Sequence, residues 1–219
     1  MLILIQPMEQ IIKKHKFYWS QKTFIISVFA GLIFFAVSVA INYYANLFAI
    51  EKAGNSVTDL LLNILPVVDT NLLFFEGTLL FIVFVAGLML KEPKAIPFTL
   101  KSLALFIVIR AGFVTLTHYG PFPDRAVMDN YDLIDSFTSS ADLFFSGHTG
   151  MPYLLALIFW RARPLRLLFL GSSVVAGFSV LLAHYHYSID VASAFFITFG
   201  IYHLARRLFK KDHDLFSTE

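Results

Sequence analysis

The chain has 219 residues, of which 58% are hydrophobic and only 15% charged, and its mean hydropathy is +0.71. This composition excludes an ordinary soluble domain and predicts an integral membrane protein. The formal charge of +2 is too small to imply a nucleic-acid partner, and the absence of cysteine excludes disulfides, thiolate metal ligands and a thiol nucleophile.

The apolar residues form six segments that are separated by short clusters of charge. A helix of about 20 apolar residues crosses the ~30 Å hydrocarbon layer of a bilayer. The predicted spans are residues 24–48, 71–90, 97–117, 147–160, 165–183 and 187–208. The fourth predicted span is shorter than this length, so a crossing helix would have to include residues from one of its flanks. The predicted fold is an all-α bundle of six transmembrane helices.

Three regions follow from this pattern. Residues 1–23 are predicted to form an interfacial segment, with a basic helix whose aromatic side chains lie at the level of the lipid head groups. Residues 24–210 are predicted to form the membrane-embedded catalytic domain. Residues 211–219 are predicted to be a cytoplasmic tail.

The distribution of Lys and Arg predicts the orientation of the bundle. With a cytoplasmic N-terminus, fourteen of the 17 Lys and Arg residues fall on the cytoplasmic side. Lys52 and Arg125 fall on the other side, and Arg110 lies inside the third span. Both termini are then cytoplasmic. Residues 49–70, 118–146 and 184–190 face away from the cytoplasm.

The outer start of the last span carries a group of ionisable residues. His186 and Asp190 are four positions apart, so on a helix the carboxylate can bind one ring nitrogen and leave the other nucleophilic. Polar groups at such a position are costly and often functional. The alternative is a satisfied polar pair at a helix start. His184 is a candidate phosphate ligand, or a histidine satisfied by backbone groups.

A second polar group opens the fourth span. The first amides of a helix have no intrahelical partner and attract an anion such as phosphate. Gly147 lets the backbone approach an oxyanion, Ser146 and Thr149 can donate hydroxyl hydrogen bonds, and His148 can protonate a leaving oxygen.

Arg110 lies about two turns inside the outer end of the third span. One interpretation is a structural salt bridge to Asp142 or Asp69. The other is a guanidinium that grips a phosphate with two parallel hydrogen bonds.

These residues lie in runs that resemble a known family. SADLFFSGHT at 140–149 and HYHYSIDV at 184–191 resemble the third and fourth motifs of the sphingomyelin synthase family, the lipid-active branch of the type 2 phosphatidic acid phosphatase superfamily. The runs at 110–121 and 66–69 are similar to its second and first motifs. The resemblance implies six transmembrane helices with the site on the non-cytoplasmic side. It implies no metal or other cofactor.

The resemblance also implies a role for each residue of the site. His186 is the nucleophile that forms a phosphohistidine, Asp190 orients it, and His148 is the general acid and then the general base. The superfamily's arginine six residues before the nucleophile is Val180 here, which favours the synthase branch. Tyr185 stands where that branch has an acidic residue linked to amine head groups. Tyr185 and Asp142 are therefore the candidates for head-group selectivity.

The predicted function is cleavage of a phospholipid phosphate ester, with transfer to water or to a lipid alcohol such as ceramide or diacylglycerol. This covers a phosphotransferase, a phospholipase C and a lipid phosphatase. The alternative is a non-catalytic phospholipid-binding or transport protein, which would need Arg110 and helix amides but not an oriented His–Asp pair. The predicted location is a bacterial inner membrane, with the active site facing away from the cytoplasm.

Overall fold

A computed structural model describes residues 7–126 and 144–217 of the chain, and within these ranges all the regular structure is helical. The α-helices are listed here in chain order: α1 Met8–Trp19, α2 Lys22–Lys52, α3 Asn71–Lys91, α4 Ile96–Leu116, α5 Gly147–Ile158, α6 Arg163–Leu182, α7 Ser188–Leu208 and α8 Lys210–Ser217. A short 3-10 turn, Pro93–Ala95, joins α3 to α4.

Five helical segments in the described part of the chain are long and apolar enough to cross a membrane. They are α2, α3, α4 with its preceding turn, α6 and α7, and they confirm five of the six predicted spans. These segments indicate a multi-pass membrane protein. The predicted span 147–160 is α5, whose 12 residues extend only ~18 Å. Residues 127–143 precede it and lie outside the described ranges, so the count of six stays a prediction.

The helices that carry the site pack closely around α5. Helix α5 lies against α6 and α7, and it also contacts α4. At Gly150 a Cβ atom would come within 2.7 Å of Cζ of Phe106 on α4 and 2.9 Å of Oγ1 of Thr198 on α7. No side chain fits there, so glycine lets α5 approach both helices. Helix α2 lies along α4 on its other side.

The core of the bundle is rich in phenylalanine. Phe98, Phe106, Phe145 and Phe169 are fully buried. Phe106 and Phe145 meet edge to face with ring centroids 5.3 Å apart, an arrangement that aromatic rings favour. The rigid packing of α4 against the start of α5 follows from this contact.

Helices α1 and α8 both form ion pairs at the end of the bundle that is rich in Lys and Arg. Lys14 of α1 forms an ion pair with the buried Glu92. On α8, Asp212 Oδ2 lies 2.6 Å from Lys101 Nζ, and its Oδ1 accepts a hydrogen bond of 2.5 Å from Ser27. The predicted C-terminal tail thus contains a helix that is tied to α2 and α4.

Candidate active site

The buried carboxylate of Asp190 lies at the start of α7. Asp190 is the third residue of the helix, so its side chain can turn back to the amide of the preceding Tyr187, which donates to Oδ2 at 2.8 Å. The same Oδ2 lies 3.5 Å from Nδ1 of His186. The predicted pairing of the two residues is therefore present in the structure. It turns Nδ1 of His186 toward the carboxylate.

Tyr119 also binds Asp190. Its hydroxyl donates to Oδ1 of the carboxylate from the loop after α4. Burial raises the pKa of Tyr119 well above its ordinary value, and the negative charge of Asp190 raises it further. The phenol therefore stays protonated and donates to the carboxylate.

The start of α5 lies beside the start of α7. Ser146 caps α5, and its hydroxyl oxygen accepts from the backbone N–H of Thr149 at 3.4 Å and from the hydroxyl of Thr149 at 3.2 Å. The backbone N–H of Ser146 donates to the carbonyl of Asp190 at 3.1 Å. This bond ties the two predicted motifs together directly. The hydroxyls of Ser146 and Thr149 are buried and bind each other, so their predicted contact with phosphate remains a prediction.

Arg110 reaches the start of α5 from α4. Its Nε donates to the carbonyl of Phe145 at 2.8 Å, and the side chain is buried. A Cβ atom on Gly147 would lie 3.3 Å from that Nε and 3.6 Å from Cζ. The guanidinium therefore lies against the backbone of Gly147, where the first amides of α5 are. Asp69 is exposed and accepts from the backbone N–H of Asn71 at 2.9 Å, and Asp142 lies outside the described residues.

His148 faces the same region and is partly exposed. Its imidazole stacks on the ring of Phe74, with centroids 4.1 Å apart and an interplanar angle of 27°. His186 and Arg110 both lie close enough to interact with it electrostatically. The structure thus gathers His148, His186, Asp190, Arg110 and Gly147 at one place.

His184 makes different contacts. It follows α6 with a φ of 58°, and it is the one non-glycine residue with positive φ in the described ranges. The amide of Tyr185 donates to the carbonyl of Val180 and that of His184 to Leu181, which is the hydrogen-bond pattern of a Schellman helix end. Nδ1 of His184 donates to the carbonyl of Asp124 at 2.6 Å. The ring is satisfied at Nδ1 by backbone, as one of the two interpretations expects, and its phosphate role stays a prediction.

Tyr185 is buried in the wall of the site. Its hydroxyl donates to Oδ1 of Asn71, and its ring meets Phe74 edge to face at 5.1 Å. Through these contacts Tyr185 packs the loop before α7 against α3. The proposed effect of Tyr185 on head-group choice stays a prediction. Asp142, the other candidate for head-group selectivity, lies outside the described ranges.

Sequence reasoning missed three residues that support the site. Tyr119 and Phe74 are described above. Asp59 is buried, and its Oδ2 accepts from the N–H and the hydroxyl of Ser188, at 2.7 and 2.8 Å, while Oδ1 accepts from the amides of Leu61 and Leu62. Tyr119 was the easiest to find, because it lies in the run 110–121 that carries the second motif.

The loop after α2 is held close to the site. Glycine is required at position 120, where a Cβ atom would lie 2.4 Å from the carbonyl oxygen of Gly54. The hydroxyl of Tyr187 donates to the carbonyl of Gly120 at 2.8 Å and accepts from the amide of Val57 at 3.2 Å. The loop therefore braces the residue that precedes α7.

Comparison with known proteins gives one match. The family model described as PAP2 superfamily C-terminal matches residues 140–207, which include the starts of both α5 and α7. This match supports a relationship to the PAP2 superfamily over that part of the chain and suggests a phosphatase-type lipid phosphoesterase. It does not distinguish the sphingomyelin synthase branch. No curated protein and no solved structure matches the chain.

Proposed function

We propose that the chain is a membrane-embedded enzyme that cleaves a lipid phosphate ester through a phosphohistidine intermediate. The observation that carries this proposal is the support of Asp190. Its carboxylate is fully buried, accepts from Tyr119 and from the amide of Tyr187, and faces Nδ1 of His186. A protein that only binds phosphate has no need for a histidine oriented in this way.

Substrate binding is assigned to Arg110 and the start of α5. The guanidinium lies against Gly147, beside backbone amides that favour an anion. A phosphate placed there meets Arg110 on one side and the two imidazoles on the other. Its negative charge is stabilised by the guanidinium of Arg110 and by the first amides of α5.

In the first step, Nε2 of His186 attacks phosphorus. A nitrogen–phosphorus bond forms, and the bond from phosphorus to the leaving oxygen breaks. His148 transfers its proton to that oxygen, so the lipid leaves as a neutral alcohol. Asp190 stabilises the positive charge that develops on the ring of His186, as the carboxylate does in related catalytic triads.

In the second step, water or a lipid alcohol attacks the phosphohistidine. The acceptor gives its proton to His148, and the nitrogen–phosphorus bond breaks. Hydrolysis and transfer use the same residues, and the outcome depends on whether an acceptor alcohol excludes water. We propose ceramide or diacylglycerol as the acceptor in the transferase case, and a bacterial inner membrane, with the site facing away from the cytoplasm, as the location.

The test is to incubate the purified protein with a panel of phospholipids, with and without ceramide or diacylglycerol, and to identify the products by mass spectrometry. The expected result is a phosphate or a phosphorylated head group released or transferred, together with an acid-labile, alkali-stable phosphoenzyme. Retention of that phosphoenzyme in His186→Ala would overturn the assignment of the nucleophile. Binding of phospholipid without any product would favour the non-catalytic alternative.

A further inference from the structure

Helix α3 contributes an aromatic platform to the site. Phe74 is buried and lies face to face with His148, at a centroid distance of 4.1 Å and an angle of 27°. Most phenylalanine contacts among the described residues are edge-on, for example Phe74 with Phe75 at 84°. A nearly parallel stack fixes the plane of the imidazole, because tilting the ring would break the contact.

Phe74 also contacts Tyr185, which is itself bound to α3. The edge of Tyr185 packs on it at 5.1 Å, and the hydroxyl of Tyr185 donates to Asn71, one turn earlier on α3. The N–H of Asn71 in turn donates to Asp69. Tyr185 is adjacent to His186 in the chain. These contacts therefore connect the loop that carries the proposed nucleophile to Phe74, on which the proposed proton donor His148 stacks.

The face of an aromatic ring also attracts positive charge. The imidazole of His148 must be a cation at the moment when it donates a proton, although the guanidinium of Arg110 repels a positive charge at that position. Phe74 offers the cation a favourable aromatic face. A proton donor that is both aimed and stabilised transfers its proton more efficiently.

We propose that Phe74, held by Asn71 and Tyr185, is a positioning residue that aims His148 at the leaving oxygen. The inference rests on the proposed function, in which His148 is the proton donor. It assigns Tyr185 to this support rather than to head-group choice. Tyr185→Phe is therefore expected to leave the preference among phospholipid head groups unchanged.

The experiment compares two phosphate monoesters that give the same phosphoenzyme. Phosphatidic acid in mixed micelles loses an alkoxide, which needs a proton. p-Nitrophenyl phosphate loses a stabilised phenolate, which departs without one. The rate measured is the initial burst of released alcohol. We expect Phe74→Leu to slow release from phosphatidic acid about tenfold, a part of the roughly 10²–10⁴ that general acid catalysis supplies, and to leave release from p-nitrophenyl phosphate within about twofold.

Two further variants sharpen the comparison. Tyr185→Phe keeps the ring edge but removes the bond to Asn71, so a smaller loss with the same leaving-group dependence is expected. Phe81→Leu is the matched control, because Phe81 lies on the same helix but packs on Phe169, 5.8 Å away. It is expected to change neither rate. Each variant is compared at equal thermal stability to the native protein.

An equal loss on both monoesters in Phe74→Leu would show a structural role and overturn the inference. No loss on either would do the same. The proposed role of His148 is tested separately by His148→Ala, which must show the leaving-group dependence more strongly than Phe74→Leu. If His148→Ala lacks it, the proton-donor assignment fails. If the native protein releases alcohol from neither monoester and gives no product with the phospholipid panel, both proposals fail.

Discussion

The phenol of Tyr119 donates to the carboxylate of Asp190, a residue 71 positions further along the chain. This bond joins the loop after α4 to the first turn of α7. It gives the carboxylate a second donor beside the amide of Tyr187, while Nδ1 of His186 lies 3.5 Å from Oδ2. Removing it tests how much the position of the carboxylate matters.

Tyr119→Phe should lower kcat about tenfold and leave folding intact. The ring still packs on Tyr187, 5.0 Å away, but Oδ1 of Asp190 loses a buried donor, a loss that costs ~1–3 kcal/mol. Turnover and thermal unfolding are measured together. The control is Tyr153→Phe, the same change on a tyrosine that packs on Phe195. Unchanged kcat in Tyr119→Phe would remove Tyr119 from the support of the site.

His186→Ala should abolish turnover, and Asp190→Asn should lower it by about 10²–10⁴-fold, because the first change removes the nucleophile and the second only its orientation. His203→Ala is the control, since His203 lies on α7, which also carries Asp190, and is exposed. Both site variants should bind phospholipid vesicles as the native protein does. Native turnover in a folded His186→Ala protein would exclude the phosphohistidine mechanism.

Arg110→Lys should lower turnover at least tenfold. Lysine keeps the charge but cannot donate from Nε to the carbonyl of Phe145 while also offering a planar fork to phosphate. The measurement is kcat/KM for phosphatidic acid at matched thermal stability. Near-native kcat/KM would instead assign Arg110 a structural role as a counter-ion.

The stability of the protein should depend on Asp59 at acid pH. Burial alone would raise the pKa of Asp59, but hydrogen bonds from Leu62, Ser188 and Leu61 outweigh it and lower the pKa. A carboxyl group whose pKa is lower in the folded state stabilises the fold while it is ionised. That contribution is complete above the pKa of the unfolded chain and is lost as the pH falls through the folded pKa.

Asp59→Asn should therefore flatten the fall in Tm on acidification below about pH 4. At neutral pH it should cost roughly 1–2 kcal/mol of stability, as the loss of a helix cap does. Asp69→Asn is the matched control, because Asp69 is exposed and accepts one amide N–H. An equal acid dependence of Tm in the native protein and in Asp59→Asn would contradict the role of this carboxylate.

His184→Gly should be more stable than His184→Ala by about 1 kcal/mol, because a left-handed backbone conformation costs alanine but not glycine. Both changes remove the bond to the carbonyl of Asp124. If His184 also binds phosphate, His184→Gly will raise KM although its stability is near native. A native KM would limit His184 to its role at the end of α6.

Sequence alone predicted the parts of the site that are local in the chain. The sequence predicted the contact between His186 and Asp190 from their spacing on a helix, but His186 precedes α7, which begins at Ser188, and the two meet because the side chain of Asp190 turns back over the start of the helix. The helix start at Gly147 agrees with the predicted beginning of the fourth span at residue 147. Five spans follow from apolar length.

Contacts between distant segments could not be predicted in this way. Phe74 is one of 25 phenylalanines in an apolar chain, and nothing in its neighbourhood distinguishes it before the helices are packed. Aspartate is a residue type that is common in loops, and only the folded structure brings Asp59 to Ser188. The length of α5 was also uncertain, since Pro152 and the glycines around it give no clear boundary.

The short length of α5 helps to determine how deep the proposed active site lies in the membrane. Its last residue, Ile158, precedes the basic residues Arg161 and Arg163. Its first residue is ~18 Å above that level, and Arg110 is ~21 Å from the start of α4. With the predicted orientation, and with Arg161 and Arg163 at the inner edge of a ~30 Å hydrocarbon layer, the phosphate site is expected about 10 Å below the outer edge. An enzyme built in this way meets its substrate in two dimensions, so its rate should follow the mole fraction of the lipid in the bilayer and not the bulk concentration of vesicles.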